Sequence, residues 1–246
     1  MPLLEVERVS KGFGGVRAVH EVSFTVEPGE LVGIMGPNGS GKTTLFNVIA
    51  GALAPDAGRV RLRGHDVAGL APHRVCAHGI ARTFQLVRPF AGLTALDNVL
   101  VGRLYGRARA AATGAAAEAE RLLALVGLEG RAGVPAARLT LIDRKRLELA
   151  RALATSPELL LLDEFMAGLN PAETATAMAL VRRLTAGGMT VLMVEHIVWA
   201  LMELSRRLIV LSAGEKIAEG PPEAVAADPA VIDVYLGTDR ESPMRA

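Results

Sequence analysis

Short apolar runs recur along this chain, each stopped by a turn residue or a charge. Leu31-Val32-Gly33-Ile34-Met35, Leu159 to Leu162, Met189 to Val194 and Leu208 to Leu211 are of strand length and almost without polar positions. That is the pattern of strands covered on both sides. Elsewhere the spacing turns helical. Leu45 to Ala50 predicts one helix, and Leu96, Val99 and Leu100 fall on one face of another. Ala115 to Val126 predicts a third, with Leu122, Leu123, Leu125 and Val126 as candidate buried positions. Arg144 to Thr155 places Leu147, Ala150, Leu153 and Ala154 inward, behind a capping-box-like Thr140-Leu141-Ile142-Asp143. Ala172 to Thr185 predicts a further helix. Strands alternating with helices predict a largely parallel sheet.

The beginning of the chain reads differently. Leu3 to Val9 alternates as a strand, Gly12-Phe13-Gly14-Gly15 reads as a turn, and Val16 to Val26 is strand-like. Pro28-Gly29 turns it into the next strand. After Pro55-Asp56-Ala57-Gly58, Arg59 to Gly64 predicts a short alternating edge strand. Near the end, Lys216 to Ala218 is a strand candidate beyond the Ser212-Ala213-Gly214 turn. Pro221-Pro222 then breaks the chain, and Val225 to Leu236 reads as a short amphipathic tail. From about Leu86 to the capped helix the sequence is helical, and Arg103 to Gly114 is a basic, Gly/Ala-rich connection.

The first of the apolar runs leads into Gly36-Pro37-Asn38-Gly39-Ser40-Gly41-Lys42-Thr43-Thr44, with a predicted helix after it. Strand, glycine loop with Lys-Thr, then helix is the context of a phosphate-binding loop. Glycines let backbone N–H groups curl around an anion, and the helix points its positive end at the same place. Lys42 is then expected to reach β- and γ-phosphates and the Thr43 hydroxyl to ligate Mg²⁺. The four-leucine run ends in Asp163 and Glu164, where a parallel sheet presents its ligands. Asp163 is placed to face Mg²⁺ through water, and Glu164 to polarise an attacking water. His196 closes another apolar run, where an imidazole is either a γ-phosphate contact or a structural residue. Phe13, in a glycine turn, is a candidate for stacking on a base.

The fold class expected is therefore α/β, a P-loop NTPase (RecA-like) core with a parallel sheet and an antiparallel β-subdomain. The core spans about 1–88 and 153–215, an inserted helical subdomain about 89–152, and a C-terminal tail 216–246. A chain of 246 residues with 50% hydrophobic and only 4% aromatic content builds an aliphatic core of that size. A net charge of +1, with no long basic block, argues against nucleic acid as a partner. The single cysteine, Cys76, excludes an internal disulfide and reads as a packed small hydrophobe in a reducing compartment. No signal-peptide layout opens the chain, and no apolar run approaches the roughly 20 residues of a membrane-spanning helix. The chain is expected to be soluble by itself and to reach a membrane through partners.

These motifs together resemble ATP-binding-cassette (ABC) ATPases over nearly the whole length. Besides the loop Gly36–Thr44 and the run Leu159–Glu164, Gln85 matches that family's glutamine loop and His196 its switch histidine. Ala167-Gly168-Leu169-Asn170 matches the loop joining two ATPase subunits. Leu139 to Asp143 stands where the family signature sits, before Arg144-Lys145-Arg146-Leu147-Glu148. Finer features are similar to the ATPase subunits of branched-chain amino acid importers: Ala81-Arg82-Thr83-Phe84-Gln85, Leu93 to Val99, Met166 to Pro171, and the ending Ile217-Ala218-Glu219-Gly220 with Val231 to Gly237. The resemblance implies ATP and Mg²⁺ as ligands, with Gln85 bridging metal and water. It implies a second ATPase subunit in a homo- or heterodimer, two membrane permease subunits, an extracytoplasmic binding protein, and a place on the cytoplasmic face of the inner membrane. Two other classes share the chemistry: soluble cassettes of translation or DNA repair, and exporters. The former usually carry two cassettes or a long coiled-coil insertion, and neither is found here.

Two departures from that pattern matter. The signature reads Leu139-Thr140-Leu141-Ile142-Asp143 instead of Leu-Ser-Gly-Gly-Gln, placing bulk and a negative charge near the partner's nucleotide. This is either a tolerated variant or the mark of a slow second site. Phe165 follows Glu164 where the family often has proline, which is expected to alter loop stiffness more than chemistry.

Overall fold

In a computed structural model, which describes residues 1–84, 87–107 and 114–236, the chain opens on two long antiparallel strands, β1 (Leu4–Phe13) and β2 (Val16–Val26). The turn between them is only Gly14 and Gly15, because Gly12 and Phe13 still pair across the hairpin. β3 (Leu31–Met35) leads through the glycine loop into α1 (Lys42–Ile49). β4 (Ala57–Leu62) then pairs with β1, and β5 (His65–Asp66) with β4, giving an antiparallel sheet of order β2-β1-β4-β5. The segment expected at the edge therefore lies inside this sheet. A two-residue β5, too short to show any alternation, takes the edge.

α2 (Pro72–His78) and β6 (Ile80–Arg82) follow, neither anticipated from the pattern. The helical block comprises α3 (Ala95–Tyr105), α4 (Ala115–Leu125) and α5 (Leu141–Ala154). The expected connection from Arg103 loses its first residues to α3, and residues 108–113 of it lie outside the described residues. Leu123 and Val126 are buried as expected, whereas Leu122 and Leu125 are partly exposed. α5 starts at Leu141, ahead of the expected Arg144, because Thr140 is its N-cap: its hydroxyl accepts the Asp143 N–H at 3.3 Å. Leu147, Ala150, Leu153 and Ala154 are all buried.

The remaining elements are β7 (Leu159–Asp163), α6 (Pro171–Ala186), β8 (Thr190–Val194), α7 (Val198–Leu204), β9 (Arg207–Ser212), β10 (Glu215–Gly220), α8 (Pro222–Ala226) and α9 (Pro229–Leu236). The expected single tail is thus two short helices, and Pro222 starts the first of them instead of merely breaking the chain. The second sheet runs β10-β9-β3-β8-β7-β6, parallel throughout except for β10.

Both faces of this sheet are covered, which explains its apolar runs. Leu160 and Leu162 of β7, with Val191 and Met193 of β8, pack into one core with α3 to α7. Leu159 and Leu161, with Leu192 and Val194, pack into a second core with α1 and the antiparallel sheet. No side of the central strands meets water, so period-two alternation disappears from the sequence.

Candidate nucleotide site

The glycine loop leaves the C-terminal end of β3, at the carboxyl edge of the parallel strands where an open α/β sheet binds ligands. It is wedged between the two sheets. Gly36 (φ 149°) passes so close to β9 that a Cβ would overlap the Leu211 carbonyl, and Gly41 (φ 99°) passes as close to the Ala18 carbonyl of β2. The Gly214 N–H after β9 donates to the Ser40 carbonyl at 3.2 Å. Glycine is required at 36 and 41 for conformation and for space together. The Lys42 ammonium folds back over the loop, donating to the carbonyls of Gly36 at 2.7 Å and Pro37 at 2.8 Å. Burial lowers its pKa, and the nearby Glu164 charge opposes that shift.

Asn38, Gly39, Ser40, Gly41, Lys42, Thr43 and Thr44 line a cleft of about 280 Å³, and its opposite wall is Glu164 and His196. Two separate strands deliver that wall: Glu164 follows β7 and His196 follows β8. The Glu164 N–H donates to the Val194 carbonyl at 2.9 Å, and its backbone adopts φ 48°, unusual for a residue with a side chain. Its Oε1 lies 2.8 Å from His196 Nε2. A loop of N–H donors, an ammonium, a carboxylate and an imidazole thus converge on one small polar space, the equipment for holding and cleaving a phosphate anhydride.

The other expected site residues fall less simply. Asp163 is 3% exposed and does not line the cleft. Its Oδ2 accepts from Arg82 Nη2 at 2.6 Å, while Arg82 Nη1 reaches Asn47 Oδ1 at 2.6 Å. The hydroxyl of Thr43 and the carboxylate of Asp163 are hard oxygen donors that fit Mg²⁺. Among the described residues no group of three or more His, Cys, Asp or Glu could hold a metal alone. Phe13 is 48% exposed at the hairpin tip, with Lys11 Nζ 5.6 Å from its ring centre, and is not part of the cleft lining. Gln85 lies outside the described residues.

Around the signature, the Thr140 box is half made. Its hydroxyl caps the helix, but the Asp143 carboxylate turns to Arg131 (3.2 Å) and Arg146 (3.6 Å). The charge expected to face a partner's nucleotide is thus already flanked by two cations. Ile142 and Phe165, the two departures from the resembled pattern, line the same groove beside α6. Asn170 caps α6 with a complete box, its side chain accepting the Glu173 N–H at 3.0 Å.

Sequence reasoning missed Arg82, Lys145, Glu148 and Glu195. The last three are buried charged residues: Lys145 and Glu148 on α5, Glu148 against the Phe84 N–H beyond β6, and Glu195 just after β8. Burial pushes Glu148 and Glu195 up to about 7, against hydrogen bonds from the Phe84 and Met166 N–H groups and the charge of Lys145. For Lys145 and Glu148 the available signal was a charge among the inward-facing positions of α5.

This fold and this cleft define a nucleotide-binding ATPase cassette. The chain belongs to the ABC transporter family: the profile of that family, described as ABC transporter, matches residues 19–167. A second profile, described as branched-chain amino acid ATP-binding cassette transporter, matches residues 215–241. The chain is 38% identical over 250 residues to the high-affinity branched-chain amino acid transport ATP-binding protein BraF of Pseudomonas aeruginosa, covering 96% of this chain and 98% of that protein. It is 37% identical over 250 residues to LivG of Escherichia coli K12, a protein of the same description, with the same coverage of 96% and 98%. Among solved structures, the ADP conformation of an ATP-binding cassette of an ABC transporter superimposes with TM-score 0.86 at 32% identity, over 96% of this chain and 99% of that one. A dimeric bacterial ABC transporter cassette superimposes with TM-score 0.79 at 28% identity, over 89% and 98%.

Proposed function

We propose that this chain is the ATP-hydrolysing subunit of an importer for branched-chain or related amino acids. The reading is supported by the profile over residues 215–241 and by the likeness to BraF and LivG along nearly the whole chain. In it, two ATP molecules are sandwiched between this chain and a second cassette subunit. The pair docks on two permease subunits served by an extracytoplasmic binding protein. The chain itself sits on the cytoplasmic face of the inner membrane. Among the described residues no helix is long and apolar enough to cross a membrane, so attachment runs through the permeases. Their docking face is the groove of about 420 Å³ between the core and the helical block, rimmed by the exposed Phe84, Phe90 and Tyr105.

Gly36, Pro37, Asn38, Gly39, Ser40, Gly41, Lys42, Thr43 and Thr44 form the phosphate cradle, and Phe13 stacks on the base. Thr43, Asp163 through water, and Gln85 would hold Mg²⁺, which when bound neutralises charge on the β- and γ-phosphates. Glu164 accepts a hydrogen bond from the attacking water and aims it at the γ-phosphorus. His196 donates to a γ-phosphate oxygen. The observation that carries this reading is the Glu164–His196 pair at 2.8 Å, facing the phosphate loop across one cleft.

The test is a mild-detergent pull-down from native membranes followed by ATPase assay of what is recovered. A second cassette and two integral membrane proteins are expected. E164Q in that complex is expected to keep ATP binding and lose at least about 10²-fold in turnover. Recovery with ribosomes or repair proteins, or turnover retained by E164Q, would overturn the assignment.

A further inference from the structure

Lys145 lies one turn into α5 and is 4% exposed, too deep to serve as a surface charge. Its ammonium donates to the Phe165 carbonyl at 3.0 Å and to the Glu164 carbonyl at 3.4 Å. On the other side of the same short loop, Glu195, at the end of β8, accepts the Met166 N–H at 2.7 Å. The Glu164 N–H is itself tied to Val194. Successive peptide groups after Asp163 are therefore held from two elements that are not their own. The loop needs such holding. Glu164 sits at φ 48°, a strained conformation for a residue with a side chain, which persists only where the surrounding structure enforces it.

Burying an ammonium is unfavourable unless it is hydrogen-bonded, and the bonds Lys145 makes go to backbone carbonyls rather than to the nearby carboxylates of Glu148 and Glu195. A lysine present only to balance buried acids would pair with them. This one spends its donors on the peptide groups that set where the Glu164 side chain points. A second tie runs alongside: Ile142, in the first turn of α5, and Phe165, 4% exposed, line one groove.

We propose that Lys145 is a positioning residue for Glu164. It couples α5, the helix that opens with Thr140 to Asp143, to the loop that aims the hydrolytic carboxylate, so that a shift of α5 changes turnover in this chain's own site. The inference rests on the assignment of Glu164 made above. It assigns a role to a buried residue that is not part of the cleft lining.

The test compares K145M, K145R and E164Q in the assembled complex, reading kcat and KM for ATP, affinity for a fluorescent ATP analogue, and the thermal melt. K145M, which keeps the aliphatic arm but no donors, is expected to lower kcat about tenfold with KM and affinity within about twofold. K145R restores donors in a different geometry and is expected to recover part of that loss, ending two- to fivefold (about) below wild type with KM unchanged. A wild-type kcat in K145M overturns the proposal, as does a loss of affinity that parallels the loss of kcat. If K145M shows no cooperative melt, K145R decides alone, and an unchanged kcat there overturns it. E164Q separates the two layers. Turnover surviving E164Q removes the assignment of Glu164 and this inference with it. A dead E164Q beside a fully active K145M removes only the inference.

Discussion

Alanine at three glycines of the phosphate loop separates conformation from space. Gly39 has φ 78°, but no heavy atom lies within 4 Å of where a Cβ would stand. Gly41 has φ 99°, and its Cβ would overlap the Ala18 carbonyl of β2; Gly36 meets the Leu211 carbonyl of β9 in the same way. G39A therefore carries only the left-handed penalty, about 1–2 kcal/mol. G36A and G41A carry it too, plus the displacement of a carbonyl fixed in a sheet, roughly 1–3 kcal/mol more. For a chain of this size each kcal/mol moves the melting temperature by about 2–4 °C. The assay is thermal unfolding without nucleotide, which keeps any clash with bound phosphate out of the comparison. G39A is expected to melt about 2–8 °C low, and G41A and G36A about 4–20 °C low, each below G39A. The two crowded variants should also bind ATP more weakly, because the loop must leave the shape in which its N–H groups converge. Equal shifts in all three would refute the argument that the two sheets hold the loop from either side.

Three further outcomes follow from particular contacts. H196A removes the partner 2.8 Å from Glu164 and is expected to cut turnover at least about tenfold while ATP affinity holds, checked by phosphate release and nucleotide titration. Glu148 is raised by burial from 4.5 to about 7, so between those values the folded chain keeps a proton that the unfolded chain has lost. Its contribution to stability must fall as pH rises through that window, by at most about 3 kcal/mol, and E148Q removes this slope. Urea unfolding of both proteins at pH 5 and pH 8 checks it, and a pH-independent difference counts against it. N170A breaks the capping box of α6 and is expected to cost about 1 kcal/mol, read as a drop of about 2–4 °C in the melt.

Much of this molecule was legible in its residues. Leu31 to Met35 and Leu159 to Leu162 read as strands buried on both faces, since apolar runs this short, bounded by turn residues or charges, have the length of a strand and not of a helix. The phosphate loop was legible because its chemistry is local: a glycine loop, a lysine and a threonine act on one anion within nine residues of chain. Residues 80–82 were not legible as a strand, because three residues carry no period. Nor was the burial of β4 inside its sheet, which depends on a two-residue neighbour.

The contacts that cross the chain were decided by tertiary structure alone. Nothing near Asp163 in sequence announces Arg82, 81 residues away, and nothing near Glu164 announces that Lys145 and Glu195 hold its loop. The signature shows the same division. Its unusual Ile142 and Asp143 stand out in the sequence, but only the fold sets Asp143 between Arg131 and Arg146 and puts Ile142 beside Phe165. Local chemistry is written in consecutive residues, whereas the partners of a buried charge are chosen by packing, after distant segments have met.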